Sequence, residues 1–167
     1  DCAIRVGAEV DPATVSVLLA EVPRSVVASP ALLARFPAVN TPEDLQPFPW
    51  IAINSFYQRH VELFHDASSA TARIDITPRL STDSLYVARK TALTGLGVAV
   101  VSSWTVHDDI REGRLVHVLP EWQPAALPVH LVYPWSRYYP ARLRRFLELM
   151  RQVMPEVTGM RKPVQQP

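Results

Sequence analysis

The sequence predicts an α/β fold with open sheets. Short apolar runs typical of buried strands alternate with segments whose apolar residues follow helical spacing. The chain has 167 residues, of which 48% are hydrophobic and 20% charged, which is typical of a globular protein with a core. The 16 prolines are scattered between these segments and therefore mark connections between elements.

The opening strand is the most informative element. Residues 1–7 form a short apolar-rich run that ends at Gly7, which is typical of a strand buried in a largely parallel sheet. Such a strand needs neighbours on both edges, so we expect the chain to be a piece of a larger protein. We also expect one edge of this strand to be uncovered by strands of this chain.

Further strands and helices follow from the same periodicities and from turn residues. Strands are predicted over residues 15–22, 25–28, 50–54, 61–65, 73–80, 98–101, 115–119 and 129–133. Helices are predicted over residues 31–35, 81–94, 104–111 and 140–154, with a short helical turn after Thr41.

Capping residues indicate where several of the predicted helices begin or end. Ser29 is predicted to cap the helix that starts with Pro30, and Thr41 with Pro42 repeats the arrangement. Gly95 is predicted to end the helix that precedes it. The Gly95-Leu96-Gly97 segment runs from helix into strand, whereas a phosphate-binding loop runs from strand into helix, so a helix C-cap is favoured.

No catalytic or metal-binding pattern is present in the sequence. The five histidines lack ligand spacing, so solvated or hydrogen-bonded histidines are expected rather than a metal site. Asp108 and Asp109 are adjacent on a helix and are expected on its solvated face. No Gly-x-Ser-x-Gly elbow occurs, and Cys2 has no evident base beside it. We therefore predict no catalytic residue, no metal and no cofactor.

The charge and hydropathy of the sequence argue against nucleic acid and a lipid membrane as partners. A net charge of +1 creates no overall field toward nucleic acid, and no apolar run reaches about 18 residues, the length of a membrane span. The single cysteine fits a reducing compartment, and we predict a cytoplasmic protein.

Several segments together resemble a known family. They are DCAIRVG (1–7), VASPALLAR (27–35), ALTGLGVAVV (92–101) and GRLVHVLPEW (113–122), continued by LVYP (131–134) and PARLRRF (140–146). Their order and spacing resemble the effector-binding domain of LysR-type transcriptional regulators, over roughly residues 1–154.

The resemblance implies a two-lobed periplasmic-binding-protein-like fold of type 2, with the first lobe incomplete. Residues 1–29 and 135–156 would form the partial first lobe, residues 30–134 the second lobe, and residues 157–167 a tail. Ser29 and Pro134 would lie near the two crossovers, as hinges.

The resemblance also implies partners. It predicts a homo-oligomer, dimer or tetramer, for which the helix from Ala31 and the helix from Leu85 are available surfaces. DNA would be contacted only through a helix-turn-helix domain that this chain lacks, and no membrane is involved.

Candidate ligand-binding residues follow from the rule that ligands of open α/β sheets bind beyond the carboxyl ends of strands. We predict an effector site from Gly7, Ala8, Asn54, Ser55, Phe56, Thr82, Asp83, Ser84 and Ser102, with Ser103 beside the last. Ordinary turns, polar loops and simple helix capping are the alternatives at these positions.

The predicted function is that of a sensor. A small effector, with a carboxylate as the favoured class, would bind between the two lobes and favour one arrangement of them. The alternatives are an extracytoplasmic solute-binding protein, a metabolic enzyme and a structural module.

Overall fold

The computed structural model describes residues 2–7, 12–53 and 59–163. Its strands, in chain order, are β1 (Ala3–Val6), β2 (Thr14–Val22), β3 (Arg24–Ala28), β4 (Trp50–Ile53), β5 (His60–His65), β6 (Thr71–Asp75), β7 (Pro78–Thr82), β8 (Val98–Ser102), β9 (Val116–His117), β10 (Trp122–Pro124) and β11 (Leu127–Pro134). Its α-helices are α1 (Pro30–Leu33), α2 (Leu85–Leu93), α3 (Ser103–Arg111) and α4 (Ala141–Val153), and Pro42–Leu45 and Met154–Glu156 are short 3-10 helices.

The chain divides into two compact units. Unit 1 comprises Asp1–Pro23 and Ala126–Pro167, and unit 2 comprises Arg24–Ala125. The predicted lobe boundaries, after residues 29 and 134, lie further along the chain than these divisions. The strand β3 therefore belongs to unit 2 and the strand β11 to unit 1.

Unit 1 is built on a three-stranded antiparallel sheet of order β1-β11-β2. Alternate residues of β2 and β11 form one apolar face, whose buried members include Leu19, Val129 and Leu131. The amphipathic helix α4 covers this face with Leu143, Leu147 and Met150. Unit 1 therefore has a core formed by a sheet and one helix.

The strand β1 corrects one expectation and confirms another. It was predicted to be buried in a parallel sheet, but it pairs antiparallel with β11 and all its residues are exposed. Ile4 and Val6 are 47% and 50% exposed. An apolar run indicates a strand but not how many of its faces are covered. β1 lies at the end of its sheet, as expected, and no strand among the described residues pairs with its outer edge.

Unit 2 is built on a five-stranded mixed sheet of order β7-β4-β8-β3-β9. β4 runs parallel to β7 and β8, whereas β3 is antiparallel to β8 and β9. Successive residues of β3 and β4 alternate between the two apolar cores on opposite faces of this sheet, as the pleat requires. Both faces are therefore buried.

The two faces of this sheet have different covers. On one face, Ala88 and Ala92 of α2 and Val106 of α3 pack against the sheet. On the other, Leu32 of α1 packs with Val61 and other residues from a second antiparallel sheet of order β10-β5-β6. Helices cover one face and a small sheet covers the other.

The predicted strand over residues 73–80 is wrong in extent, because it is two strands. β6 pairs antiparallel with β5, whereas β7 pairs parallel with β4 in the other sheet. The apolar residue Ile76 lies buried between them and continues the alternation, so the pattern shows no break. The short strand β10 was not predicted.

The predicted caps are confirmed. The Ser29 side chain accepts a hydrogen bond from the Leu32 N–H at 3.2 Å, and Pro30 begins α1. Asp44 accepts from the backbone N–H groups of Asn40 and Thr41, and these bonds lower the pKa of its carboxyl group. Local side-chain chemistry therefore sets where these turns begin.

The two glycines after α2 serve different purposes. Gly95 has a φ of 75°, a left-handed conformation that ends the helix, as predicted. At Gly97 the reason is space, because an added Cβ would lie 2.7 Å from the carbonyl oxygen of Pro49. This carbonyl accepts a hydrogen bond from the Val98 N–H, so β8 begins against the residue that precedes β4.

Asp109 corrects the prediction of a solvated carboxylate pair. Asp108 is exposed as expected, but the Asp109 side chain is fully buried. One of its carboxylate oxygens accepts from Arg89 Nε of α2, and the other accepts from Arg114 Nη2 at 2.6 Å. Burial alone would raise the pKa of Asp109, but the hydrogen bonds from the two arginines outweigh it and lower this pKa. Asp109 thus links α2, α3 and the turn after α3.

All helices in the part of the chain that the structure describes are too short or too polar to cross a lipid bilayer.

Replacing Asp109 by asparagine should lower the free energy of unfolding by about 2–3 kcal/mol at neutral pH, less than for a fully buried pair because Arg114 is half exposed. Because the folded-state pKa of Asp109 is lowered, its contribution is present above about pH 4 and is lost as pH falls through the folded pKa. Urea unfolding of the wild type and of Asp109→Asn, carried out across this pH range, measures the difference in their free energies of unfolding.

The matched control is Asp108→Asn, the exposed neighbour on the same helix, which should change stability by less than about 0.5 kcal/mol. Equal effects of the two substitutions would contradict a structural role for the Asp109 ion pairs.

Candidate functional site

The carboxyl ends of three adjacent strands in unit 2 lie at one edge of the sheet. β7, β4 and β8 run parallel to one another, so Thr82 and Ser102, which end β7 and β8, lie on either side of the end of β4. They are two strand spacings apart, about 10 Å. We call this edge the strand-end site and define it by Arg24, Thr82, Ser84, Ser102 and Ser103.

At the β7 end, Thr82 and Ser84 lead into α2. The Ser84 N–H donates to Thr82 Oγ1 at 3.1 Å, and Ser84 Oγ accepts from the Val87 N–H at 3.4 Å. Ser84 therefore caps the helix, the alternative considered for this position. The Thr82 hydroxyl accepts this bond, and a hydroxyl can in addition donate its own proton. Asp83, between them, is exposed.

At the β8 end, Ser102 and Ser103 lead into α3. Ser102 is buried, and its carbonyl accepts from Thr105 Oγ1 at 2.7 Å. The hydroxyls of Ser103 and Ser25 lie 2.8 Å apart and share a hydrogen bond. α2 and α3 thus both begin at the strand-end site, with nine residues each. Their first-turn N–H groups and dipoles favour negative charge there.

Arg24 was missed in the sequence. It is the first residue of β3 and pairs with Ser102 in the antiparallel register, which places it at the same edge. It is buried, and its Nε donates to the carbonyl of Ala125 at 2.6 Å. In the sequence, an arginine between Pro23 and an apolar run indicates the boundary of a strand and no more. The burial of its charge becomes visible only in the structure, where Arg24 pairs with β8.

The remaining predicted site residues are distributed as follows. Gly7 belongs to unit 1, where its N–H donates to the carbonyl of Pro128 at 2.9 Å, and its place in an effector site stays a prediction. Ala8, Asn54, Ser55 and Phe56 lie outside the described residues. The structure therefore brings together Thr82, Ser84 and Ser102, with Asp83 between the first two.

The predicted hinge residues lie in different units. Ser29 follows β3 in unit 2 and caps α1, and Pro134 ends β11 in unit 1. Their role as hinges stays a prediction.

The histidines differ in their surroundings. His65 is hydrogen-bonded as predicted, because its Nδ1 accepts from the backbone N–H groups of Ala67 and Ser68. His117 departs from the prediction, since its Nε2 is buried and has no hydrogen-bond partner among the residues that the structure describes. Burial lowers the pKa of His117. Within residues 2–7, 12–53 and 59–163, no three metal-ligating side chains lie close enough to hold an ion.

Two cavities of unit 2 are lined by residues outside the strand-end site. The first, which we call the basic groove, has a volume of about 560 Å³ and lies between the start of α1, Arg89 and Lys90 of α2, and Arg114. The second, which we call the His117 cavity, has a volume of about 310 Å³ and lies between Leu33, residues 37–39 and residues 116–119.

Comparison with known proteins points to one family. The family model described as the LysR substrate binding domain matches residues 1–155. The transcriptional regulator PtxR of Pseudomonas aeruginosa is 31% identical over 91% of this chain and 48% of its own length. The regulator DmlR of Escherichia coli is 31% identical over 93% of this chain and 50% of its own length. The chain thus spans about half the length of these relatives.

Solved structures agree on the fold. The regulatory domain of CrgA, a LysR-type transcriptional regulator from Neisseria meningitidis, matches with a TM-score of 0.67 and 27% identity, over 92% of this chain and 74% of that one. The regulatory domain of AphB in Vibrio vulnificus matches with a TM-score of 0.72 at 22% identity, over 92% of this chain and 75% of that one. The predicted type 2 periplasmic-binding-protein-like α/β fold is confirmed.

Replacing Ser84 by alanine should lower the free energy of unfolding by about 1 kcal/mol, because the cap of α2 is lost. Replacing it by aspartate, an equally good cap, should leave stability within a few tenths of a kcal/mol of wild type. Urea unfolding of the two variants measures the difference. If Ser84→Ala unfolds at the same urea concentration as wild type, capping does not explain Ser84.

Proposed function

Because this chain belongs to the LysR substrate-binding domain family, we propose that it is the ligand-sensing part of a transcriptional regulator and binds a small-molecule inducer at the strand-end site. The observation that supports this proposal is the convergence of Thr82, Ser102 and two helix N-termini at one edge of the sheet in unit 2. Open α/β sheets bind their ligands at such edges.

The inducer is proposed to carry a carboxylate. The N-terminal ends of α2 and α3 present N–H donors and positive dipole ends, and Arg24 adds a buried positive charge. The hydroxyls of Thr82 and Ser102 add neutral hydrogen-bonding groups. Because the negative charge of Asp83 repels an anion, we expect the ligand to approach the hydroxyls of Thr82 and Ser102 rather than this carboxylate.

Sensing requires that the inducer bind one arrangement of the whole regulator better than another, since a ligand with equal affinity for both shifts nothing. We propose that the response passes to a DNA-binding domain, as the names of the helix-turn-helix relatives suggest. We also propose a cytoplasmic regulator without enzymatic activity. The alternative of an extracytoplasmic solute-binding protein is not favoured, because the relatives are transcriptional regulators.

A series of aromatic and aliphatic carboxylic acids titrated against the chain should contain members that raise its melting temperature. At about 100 times its dissociation constant, a bound acid adds about 2.7 kcal/mol to the free energy of unfolding. The Thr82→Val and Ser102→Ala variants should bind the same acid about tenfold more weakly each, for the loss of one hydrogen bond. Isothermal titration calorimetry measures the affinities.

Ser81→Ala is the matched control. Ser81 is the neighbour of Thr82 on β7, on the opposite face of the strand, and should not affect acid binding. The proposal fails if no acid in the series stabilises the chain, or if both site variants bind it as tightly as wild type.

The second part of the proposal is self-association through α1 and α2. Ala88 and Ala92 hold α2 on the sheet, whereas Tyr86 and Val87 project outward, 63% and 46% exposed. Two neighbouring apolar side chains on an exposed helix favour a protein contact. The basic groove lies between α1 and α2 and extends the same surface.

Introducing Tyr86→Glu and Val87→Glu together should shift the chain to a smaller species in sedimentation velocity, because buried like charges oppose association. Phe64→Glu is the control, since Phe64 is similarly exposed on β5 of the same unit. Identical sedimentation of the double variant and wild type would exclude this surface from self-association.

A further inference from the structure

The basic groove combines a cavity of ligand size with a cluster of charged side chains. Its volume of about 560 Å³ falls within the range of small-molecule sites. Arg89, Lys90 and Arg114 line it, together with Asp109. The inducer is proposed to bind at the strand-end site, so it does not account for these charges.

The carboxylates around the groove are engaged by protein groups. The two oxygens of Asp109 accept from Arg89 Nε and from Nε and Nη2 of Arg114, and the Asp109 side chain is fully buried. Glu112, the next acid along the chain, pairs with Arg114 and Arg111. These acids therefore offer no open site for a cation, and Arg114 already has two partners.

Arg89 and Lys90, in contrast, have unused donors. Arg89 binds Asp109 through Nε alone, and its Nη1 and Nη2 groups have no hydrogen bond to the described residues. Neither of these nitrogens is among the buried atoms without a partner, so both are accessible to solvent. Lys90 is exposed and forms no ion pair within residues 2–7, 12–53 and 59–163. One edge of a guanidinium group and one ammonium group are thus available to a ligand.

The rest of the lining favours a ligand with an organic body. Pro30 and Ala31 at the start of α1 and Leu93 at the end of α2 contribute apolar surface beside the two cations. A bare inorganic ion would leave this surface uncovered, whereas an organic group attached to the anion would bury part of it.

The groove is separate from the strand-end site. α2 begins at that site with its cap Ser84, whereas Leu93, its last residue, lines the groove. At 1.5 Å per residue, the nine residues of α2 span about 13 Å. The C-terminal end of α2 opposes an anion, but less strongly than two charge-assisted hydrogen bonds attract one.

We propose that the basic groove binds a small organic phosphate, whose phosphate group is held by Arg89 Nη1 and Nη2 and by Lys90 Nζ and whose organic body lies against Leu93 and Pro30. The planar edge of a guanidinium group matches two phosphate oxygens, and the ammonium group binds a third. A monocarboxylate has only two oxygens and one charge, so it cannot satisfy both side chains as well.

The test uses phenyl phosphate as the probe and phenol as its uncharged match, at a chain concentration at which sedimentation velocity shows one species. Phenyl phosphate should shift the backbone amide NMR resonance of Gly113, which lines the groove, in a saturable manner. Phenol should cause no such shift. Lys90→Gln should bind phenyl phosphate about tenfold more weakly, for the loss of one charge-assisted hydrogen bond. Its urea unfolding should match that of wild type, because Lys90 has no ion-pair partner among the described residues.

Ala31→Glu provides a second, independent variant. Ala31 is exposed at the groove, so glutamate fits there without disturbing the core, and its negative charge should weaken phenyl phosphate binding by at least tenfold. Arg79→Gln is the matched control, since it removes one exposed positive charge on β7 outside the groove lining and should leave the affinity unchanged.

The proposal is overturned if phenyl phosphate gives no saturable shift at Gly113, or if Lys90→Gln binds it as tightly as Arg79→Gln does. Carboxylic acid binding at the strand-end site is measured through the Thr82 and Ser102 variants, so it stands or falls independently of either result.

Discussion

The parallel pairing of β4 with β7 and β8 is the constraint on which the rest of unit 2 depends. A parallel strand cannot be joined to its neighbour by a tight turn, so the chain must cross over between parallel strands. It does so through β5 and β6 between β4 and β7, and through α2 between β7 and β8. These crossovers bury both faces of the central sheet. The same pairing brings three carboxyl ends to one edge, the edge at which the inducer is proposed to bind.

Local chemistry explains which parts of this fold were predictable from the sequence. Ser29 before Pro30, Ser84 before α2 and Gly95 after it each act through their own backbone neighbourhood, so their patterns are visible without a structure. The strand-end serines and threonine were also predictable, because the carboxyl ends of parallel strands share an edge. Asp83 was included with them on position alone, and its exposed carboxylate is the weakest member of the set.

Long-range contacts explain what the sequence did not reveal. Asp109 differs from Asp108 only in the direction of its side chain, and its burial depends on Arg89 twenty positions earlier. The division between β6 and β7 depends on which sheet each strand joins. The sequence pattern does not reveal this division, because Ile76 continues the apolar alternation between the two strands. The burial of Arg24 follows from its pairing with Ser102, a partner far along the chain. A pattern of residue types carries no information on such partners.

The close approach of Gly97 to Pro49 has a consequence for precision at the strand-end site. A slip of β8 by one residue along β4 would bring Leu96 or Val98 to the position where even a Cβ has no room. The contact therefore fixes the register of β8 relative to β4, and with it how far each strand extends beyond the sheet. Ser102 and the end of β4 are held level by a contact at the opposite end of their strands, so the spacing of the groups at the proposed site is set at the far edge of the sheet.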